Sequence, residues 1–387
     1  MERFSTRRFL ELILILGIGV GIGAGLDMLL RPTRIIMAAA PVLAAPAPPR
    51  IPSPAAPQPA QVANLSCSAS ATLENNLYPS LMLSFGSLAP EFTHCLTIEI
   101  RNAPVGRPCQ LRIDSGLLQE PFLVTQNAPS GRFVLNPDIP WNYDTLRQVD
   151  QLRPETFVIT VTAEDKATAQ TSLLCTVHSV NEAVSRVLDP VTGQWQDTSI
   201  CFAAFVNEDH PWIGTLLKEA ASHGNLERFS GYEFGERSVV EQIEAIWEAL
   251  AARHLTYADL STSGGVVPGI ASQYVRFLDQ SVRDQGANCV DASVMMASIF
   301  RRIGLRPVLF FQPGHCFVAV YNAAQGGQLI PIETTMLGSS PFTAALNYGG
   351  RELASATANL NSPGYAAVDI ASARQAGVKP IEYEATP

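Results

Sequence analysis

The chain lacks dense runs of lysine and arginine, and charged residues of both signs are scarce. Only 16% of its 387 residues are charged, and the formal net charge is −9. Nucleic-acid binding requires a basic patch or stripe, so this composition argues against a nucleic-acid partner. The chain also lacks Cys-x-x-Cys pairs, which are typical of structural zinc sites. We therefore predict neither a metal nor a cofactor.

The N-terminus lacks an uncharged apolar run long enough to span a membrane comfortably. The apolar stretch 9–30 contains an uncharged span, 12–26, of only 15 residues, against about 20 for a typical membrane helix. Arginines at positions 3, 7 and 8 precede it. A cleaved signal peptide and a retained anchor are both open interpretations, and we favour a retained anchor over 1–35. The bulk of the chain would then be extracytoplasmic, in the periplasm or on the cell surface; signal cleavage would make it secreted.

Composition divides the rest of the chain into three parts. Segment 36–61 is rich in proline and alanine, which predicts an extended linker. Segment 62–198 contains short runs rich in β-formers, which predict an all-β, immunoglobulin-like sandwich. The runs are 81–85, 95–100, 122–124, 132–135, 156–162 and 172–177. Segment 199–387 mixes helical and strand-like periodicity, so the fold class is α+β.

The chain contains seven cysteines, and their number limits the possible disulfides. An exported protein can form disulfides, but an odd count leaves at least one thiol free if all pairs are internal. The sequence does not assign the pairs.

Cys289 is the most informative residue of the C-terminal segment. It follows Asn288, a good helix N-cap, and precedes a run, 290–303, that is apolar nearly all round. Such a helix belongs in the centre of a domain. The unpaired N–H groups and the dipole at its start favour an anion, so they favour a thiolate at Cys289. They also favour an oxyanion in an acyl-transfer transition state.

Three predicted strands follow this helix, over 308–311, 315–321 and 328–333. If the last two form a hairpin centred on Ala324, His315 lies directly opposite Glu333, because 315 and 333 sum to twice 324. Opposite side chains lie on one face of the sheet, which suits a carboxylate that orients an imidazole. Cys316 would point to the other face, and we expect it to pack in the core.

The motifs around Cys289 and His315 resemble the bacterial transglutaminase-like domain of the papain-like cysteine enzyme superfamily. The resemblance covers about 201–380 and includes Gln285-Gly-Ala-Asn-Cys-Val-Asp291, Pro313-Gly-His-Cys-Phe-Val-Ala-Val320 and Ile330-Pro-Ile-Glu-Thr-Thr335. Glu333 stands where most members of that family have aspartate. The resemblance implies a helix that carries Cys289, packed on an antiparallel sheet that carries His315 and Glu333.

The resemblance also implies acyl transfer at a peptide or protein amide through a thioester. Cys289 would be the nucleophile, His315 the general base and acid, and Glu333 the orienting carboxylate. The backbone N–H of Cys289 and the side chain of Gln285 are oxyanion-donor candidates, and Gln273 is a further one. Hydrolysis and transamidation both remain open; we favour hydrolysis, because no amine site is visible.

Two other interpretations remain. The same fold, without catalysis, could serve protein binding or assembly at the membrane surface, in which case Cys289 would lie far from the His315 ring. Cys289, His315 and Glu333 could also hold a metal, which metal analysis of the purified protein would decide.

Overall fold

A computed structural model describes residues 64–86, 88–89, 92–189, 191–223, 226–258 and 267–382, and these residues form an α+β fold. The helices are α1 (Pro79–Phe85), α2 (Tyr143–Arg147), α3 (Pro211–His223), α4 (Gly235–Ala252), α5 (Leu278–Arg283), α6 (Cys289–Arg302), α7 (Phe342–Ala358) and α8 (Ile370–Ala376). Short 3₁₀ helices cover Ser199–Phe205 and Thr334–Met336.

The strands are β1 (Ser66–Ala71), β2 (Asn76–Leu77), β3 (Leu96–Arg101), β4 (Pro108–Asp114), β5 (Phe122–Asn127), β6 (Arg132–Leu135), β7 (Arg153–Ala163), β8 (Thr168–Val177), β9 (Glu182–Leu188), β10 (Trp195–Asp197), β11 (Thr256–Tyr257), β12 (Ile270–Tyr274), β13 (Gly286–Ala287), β14 (Pro307–Gln312), β15 (His315–Tyr321), β16 (Leu329–Ile332) and β17 (Ala366–Asp369).

Two sheets in the N-terminal part share one hydrophobic core. Their strand orders are β1-β3-β6 and β2-β8-β7-β4-β5, and all neighbours are antiparallel except the short pair β2 and β8. Ile98 of β3 and Ile159 of β7 both lie in this core and are fully buried. The strands predicted at 95–100 and 132–135 are confirmed within a residue at their ends, and those predicted at 122–124, 156–162 and 172–177 are confirmed but are three or four residues longer at one end.

The strand predicted at 81–85 is wrong, because this run lies in α1. Pro79 occupies the first turn of the helix, where its missing N–H costs nothing. Five consecutive apolar or small residues carry no clear period, and a short buried run cannot be assigned to helix or strand from periodicity alone.

A four-stranded antiparallel sheet, in the order β16-β15-β14-β17, forms the C-terminal part together with α6 and α7. Along β15, Cys316, Val318 and Val320 share a core with α6, while Phe317 and Ala319 pack with Ala356 of α7. Because helices cover both faces, the strand is continuously apolar instead of alternating. The predicted central position of the helix after Cys289 is confirmed, since all its residues from 290 to 300 are buried.

One core crosses the boundary predicted between 198 and 199. Tyr78 and Phe85 from the N-terminal part, and Val184 of β9, belong to the same cluster as Ile246 of α4 and Met295 of α6. The division into domains at 62–198 and 199–387 remains a prediction: the N-terminal part has a core of its own, but it also contributes residues to the core of the C-terminal part.

No helix among the described residues is long and apolar enough to cross a membrane. The predicted anchor, 1–35, and the predicted linker, 36–61, lie outside the described residues. The seven cysteines all lie inside them and are free thiols.

Candidate active site

Cys289 is the first residue of α6, where an Asn288 cap fixes the start of the helix. The Asn288 side-chain oxygen accepts hydrogen bonds from the N–H groups of Val290 and Asp291, both at 2.9 Å. The Asp291 carboxylate accepts in return from the Asn288 N–H at 3.1 Å. This reciprocal pattern is a capping box, and it fixes Cys289 at the positive, N-terminal end of the helix dipole.

The backbone N–H of Cys289 is the donor that this capping arrangement leaves available. Asn288 takes the N–H groups of Val290 and Asp291, and Ala292 donates to the Asn288 carbonyl. No residue in the described part of the chain accepts from Cys289 N–H. It is therefore suited to stabilise an oxyanion next to the thiol.

A buried ion pair ties the start of α6 to the chain that follows β12. Asp291 is fully buried, and its carboxylate accepts from the Arg276 guanidinium and from the Arg276 backbone N–H, both at 2.8 Å. Burial raises the pKa of Asp291, against the lowering effect of the hydrogen bonds from Arg276 and Asn288. Sequence reasoning missed this pair, although an acid three residues after an N-cap is a known capping signal.

The hairpin of β15 and β16 has a register that differs by two residues from the prediction. Val318 pairs with Ile332 and Val320 with Ile330, so paired numbers sum to 650 instead of 648. The predicted direct opposition of His315 and Glu333 is therefore wrong. A shift of two residues keeps every side chain on its face, because strands alternate with period two, so His315 and Glu333 still meet diagonally.

His315 and Glu333 form a direct hydrogen bond. Nε2 of His315 donates to Oε2 of Glu333 at 2.8 Å, and Glu333 is almost completely buried. The other carboxylate oxygen, Oε1, accepts from the Thr335 N–H at 2.9 Å and from the Thr335 hydroxyl at 2.5 Å. Each oxygen of Glu333 thus has a donor, which fixes the carboxylate against the imidazole.

The third member of the site is close enough to the ring to act on it, because Cys289 contributes to raising the pKa of His315. Nε2 is engaged with Glu333, so Nδ1 is the ring nitrogen left for proton exchange with the sulfur. The structure therefore brings together all three residues that the sequence singled out, in the order thiol, imidazole, carboxylate.

Charge favours the imidazolium form of His315. Burial alone lowers its pKa, but the hydrogen bonds to Cys289 and Glu333 outweigh burial and raise the pKa from 6.5 to about 10. For Glu333, burial acts in the opposite direction and raises the pKa of the carboxyl group. The hydrogen bonds from His315 and Thr335 outweigh the effect of burial, so the pKa of Glu333 lies below its usual value. At neutral pH the pair is an imidazolium held by a carboxylate.

The other residues that the sequence singled out lie elsewhere. Cys316 is fully buried in the core beside α6, and burial raises its pKa well above the usual value, so it remains a neutral thiol. Gln285 is exposed, and its amide donates to the Arg253 carbonyl at 3.4 Å. Gln273 lies in β12 and is half-buried. Cys289 N–H is the oxyanion donor best supported by geometry.

The described residues contain no group of three or more histidine, cysteine, aspartate or glutamate side chains arranged to hold a metal ion. Comparison with protein-family models and with curated proteins finds no match for this chain.

Proposed function

We propose that this chain is a cysteine-dependent acyl-transfer enzyme that acts on an amide of a peptide or protein through a thioester. The observation that carries the proposal is the hydrogen bond of 2.8 Å between His315 and Glu333, together with Cys289 close enough to raise the pKa of His315. A nucleophile, a base and a group that orients the base, each in contact with the next, form the general pattern of covalent acyl transfer.

Each step of the reaction has a residue suited to it. The Cys289 thiolate attacks the amide carbon, and the helix start and the Cys289 N–H favour the negative charge that develops on the carbonyl oxygen. The His315 imidazolium gives its Nδ1 proton to the leaving amine. The thioester remains on Cys289, and neutral His315 takes a proton from the incoming water. Attack of the resulting hydroxide on the thioester releases the acid and restores the Cys289 thiolate and the His315 imidazolium.

Glu333 keeps the imidazole in one orientation through both steps. Its carboxylate accepts from Nε2, so Nδ1 is always the nitrogen that exchanges protons with the sulfur and the substrate. Thr335 satisfies the second carboxylate oxygen, and this prevents Glu333 from rotating away. Water is always present, so we favour water over an amine as the acyl acceptor.

We infer a papain-like, transglutaminase-like core for the C-terminal part. A Cys-bearing helix, α6, packs against an antiparallel sheet, and His315 begins one strand of that sheet while Glu333 follows its neighbour. The motifs from Gln285 to Thr335 support the same assignment. For the N-terminal part, two sheets around one core support an immunoglobulin-like sandwich.

We further propose that the enzyme is held at a membrane by segment 1–35, with its bulk in the periplasm or on the cell surface. The arginines that precede the apolar stretch support this orientation. A peptide or protein in that compartment would be the substrate.

Trapping of the acyl-enzyme tests the proposal directly. The full-length protein would be incubated with peptide and protein mixtures, quenched in acid, and digested for mass spectrometry of the cysteine-containing peptides. We expect an acyl adduct on Cys289 that is absent from Cys289→Ala and retained in Cys316→Ala. An adduct that survives Cys289→Ala, or turnover that is unchanged in this variant, would contradict the proposal and favour a binding role.

A further inference from the structure

A left-handed turn links β1 to β2 at a distance from the candidate active site. Three consecutive residues other than glycine, Leu73, Glu74 and Asn75, have φ values of 51°, 56° and 63°. Side chains with a Cβ disfavour this region of backbone space, and such strain persists only where surrounding groups enforce it. Backbone outliers of this kind occur preferentially at ligand sites and clamps.

Two asparagine side chains hold the turn in place. The Asn76 amide donates to the carbonyls of Leu73 at 2.9 Å and Glu74 at 3.1 Å. Asn75 Oδ1 accepts from the Ala71 N–H at 2.7 Å. The conformation of the turn is therefore set by bonds from both of its ends.

The Asn76 side chain is itself fixed by a buried polar network. Its oxygen accepts from Nε2 of His178 at 2.9 Å, and Nδ1 of His178 pairs with Glu182 at 2.9 Å. Ser272 of β12 donates to the same Glu182 oxygen at 2.8 Å. His178 is fully buried, so both of its ring nitrogens are satisfied inside the protein. The network joins the strained turn to β9 and β12.

The turn forms one wall of a cavity of about 440 Å³. The facing wall comes from the end of β9, at Val187 and Leu188, and from the segment that leads into β12, at Val267, Pro268 and Ile270. This volume lies within the range of small-molecule sites. None of Cys289, His315 and Glu333 lines the cavity, so it is separate from the proposed acyl-transfer site.

The polar groups of the wall limit the chemistry of the ligand. Glu74 is the charged residue of the described lining; it is exposed, and no described side chain pairs with it. The Asn76 amide is already used by Leu73, Glu74 and His178. The Gly269 carbonyl accepts from Leu188, and the Ile270 N–H donates to Val267. An apolar cavity with one unpaired carboxylate is complementary to an apolar body with a positive end.

We infer that this cavity binds a small apolar molecule with a cationic end, such as a primary ammonium, which pairs with Glu74. The strained turn presents the carboxylate beside the cavity, and the network through Asn76 and His178 holds it there. The inference is independent of acyl transfer at Cys289, so each of the two proposals can fail without the other.

Binding of 4-phenylbutylamine to the full-length protein tests the inference, with 4-phenylbutanol and 4-phenylbutanoate as uncharged and anionic comparisons. Isothermal titration at pH 7 should give saturable 1:1 binding of the amine. We expect the alcohol to bind about fivefold more weakly than the amine, because an exposed ion pair contributes a free energy of about that size. The carboxylate should bind more weakly than the alcohol. Glu74→Gln should reduce the affinity for the amine to that for the alcohol. Glu120→Gln, which removes an exposed acid elsewhere, should leave the affinity for the amine unchanged.

Blocking the cavity gives a second test. Leu188→Trp should abolish binding of the amine while circular dichroism stays that of the native protein. The inference is overturned if the amine shows no saturable binding, if Glu74→Gln and Glu120→Gln behave alike, or if folded Leu188→Trp still binds the amine. Should Leu188→Trp fail to fold, the comparison of the two glutamate variants decides the matter alone.

Discussion

His315 is the residue whose charge decides how the candidate site works. A neutral imidazole would have to remove the thiol proton during attack, whereas an imidazolium beside Cys289 already holds the proton that the leaving amine needs. The raised pKa of His315 favours the second arrangement. Glu333 and Cys289 are the groups that outweigh burial to produce it.

Stability should fall as pH rises through the titration of His315. Its folded-state pKa of about 10 lies above the value of 6.5 for the unfolded chain, so the pair with Glu333 stabilises the protein fully below pH 6.5. That contribution is lost as pH rises from 6.5 through 10. Urea unfolding at pH 6.5, 8 and 10 should therefore show a larger loss of unfolding free energy for the native protein than for His315→Gln. Equal losses in the two proteins would show that His315 is not charged at neutral pH.

The three residues of the candidate active site were predictable from sequence, whereas the residues that position them were not. Each of them adjoins a local signal that can be read from the sequence: an asparagine cap for Cys289, a Pro-Gly turn for His315 and the end of a strand for Glu333. Arg276 gives no such signal, because its partner Asp291 lies 15 residues away and their contact depends on how β12 approaches α6. Gln285 is close to Cys289 in sequence, yet its positive φ of 49° and its bond to Arg253 place its side chain elsewhere.

Buried and exposed arginine pairs should differ strongly in their effect on stability. Arg276→Met leaves the fully buried Asp291 carboxylate without its cation, and loss of one partner of a buried pair costs about 3 kcal/mol or more. The matched control is Arg237→Met on the surface of α4, where the pair with Glu241 is exposed and is worth about 0.5 kcal/mol or less. Chemical denaturation measures both values, and similar small losses would show that Arg276 does not hold the start of α6.

At the scale of elements, the hairpin of β15 and β16 shows which part of a register can be predicted from sequence. Successive side chains of a strand alternate between the two faces of the sheet, and this predicts the face of each residue correctly. The assignment of Cys316 to the core and of His315 to the opposite face is confirmed. The centre of the turn was off by one residue, because Gly326 and Gly327 both adopt positive φ and the loop closes between Asn322 and Gln328. A one-residue shift of the centre moves the pairing by two residues, which preserves the faces and the contact with Glu333.

Neighbouring glycines of α7 should respond oppositely to alanine. A Cβ at Gly349 would lie 3.0 Å from the Pro331 backbone of β16, while one at Gly350 would meet nothing within 4 Å. Alanine is the better helix former by up to about 1 kcal/mol, so Gly350→Ala should stabilise the protein by about that amount. Gly349→Ala should destabilise it, because α7 must move off the strand that leads to Glu333. Thermal unfolding measures both, and stabilisation by both variants would contradict the close packing.

At the scale of the whole molecule, the core connects the two parts that composition separates. Tyr78, Phe85 and Val184 complete a cluster that also contains α4 and α6. Composition could not show this, because a core shared by distant segments leaves no local pattern in either. The N-terminal part therefore supports the candidate site as well as preceding it.

A truncated chain should reveal this dependence. Residues 64–382 should unfold in one cooperative transition, followed by tryptophan fluorescence and by circular dichroism. Residues 199–382 would expose the apolar surface that Tyr78, Phe85 and Val184 cover, and we expect aggregation or a broad transition. Cooperative unfolding of 199–382 with native-like stability would show that the C-terminal part folds by itself.

The central claim is that the Cys289 sulfur is activated by His315, and the rate of its alkylation as a function of pH tests this most directly. Iodoacetamide labelling of the full-length protein, read by mass spectrometry between pH 5 and 10, would compare the native protein with His315→Gln, with Cys316→Ala as the control for labelling elsewhere. A free cysteine is less than about 1% thiolate at pH 6, so rapid labelling there requires a charged partner. We predict that Cys289 reacts at pH 6 at least about tenfold faster in the native protein and in Cys316→Ala than in His315→Gln, with convergence at high pH. Identical pH profiles for the native protein and His315→Gln would contradict the account.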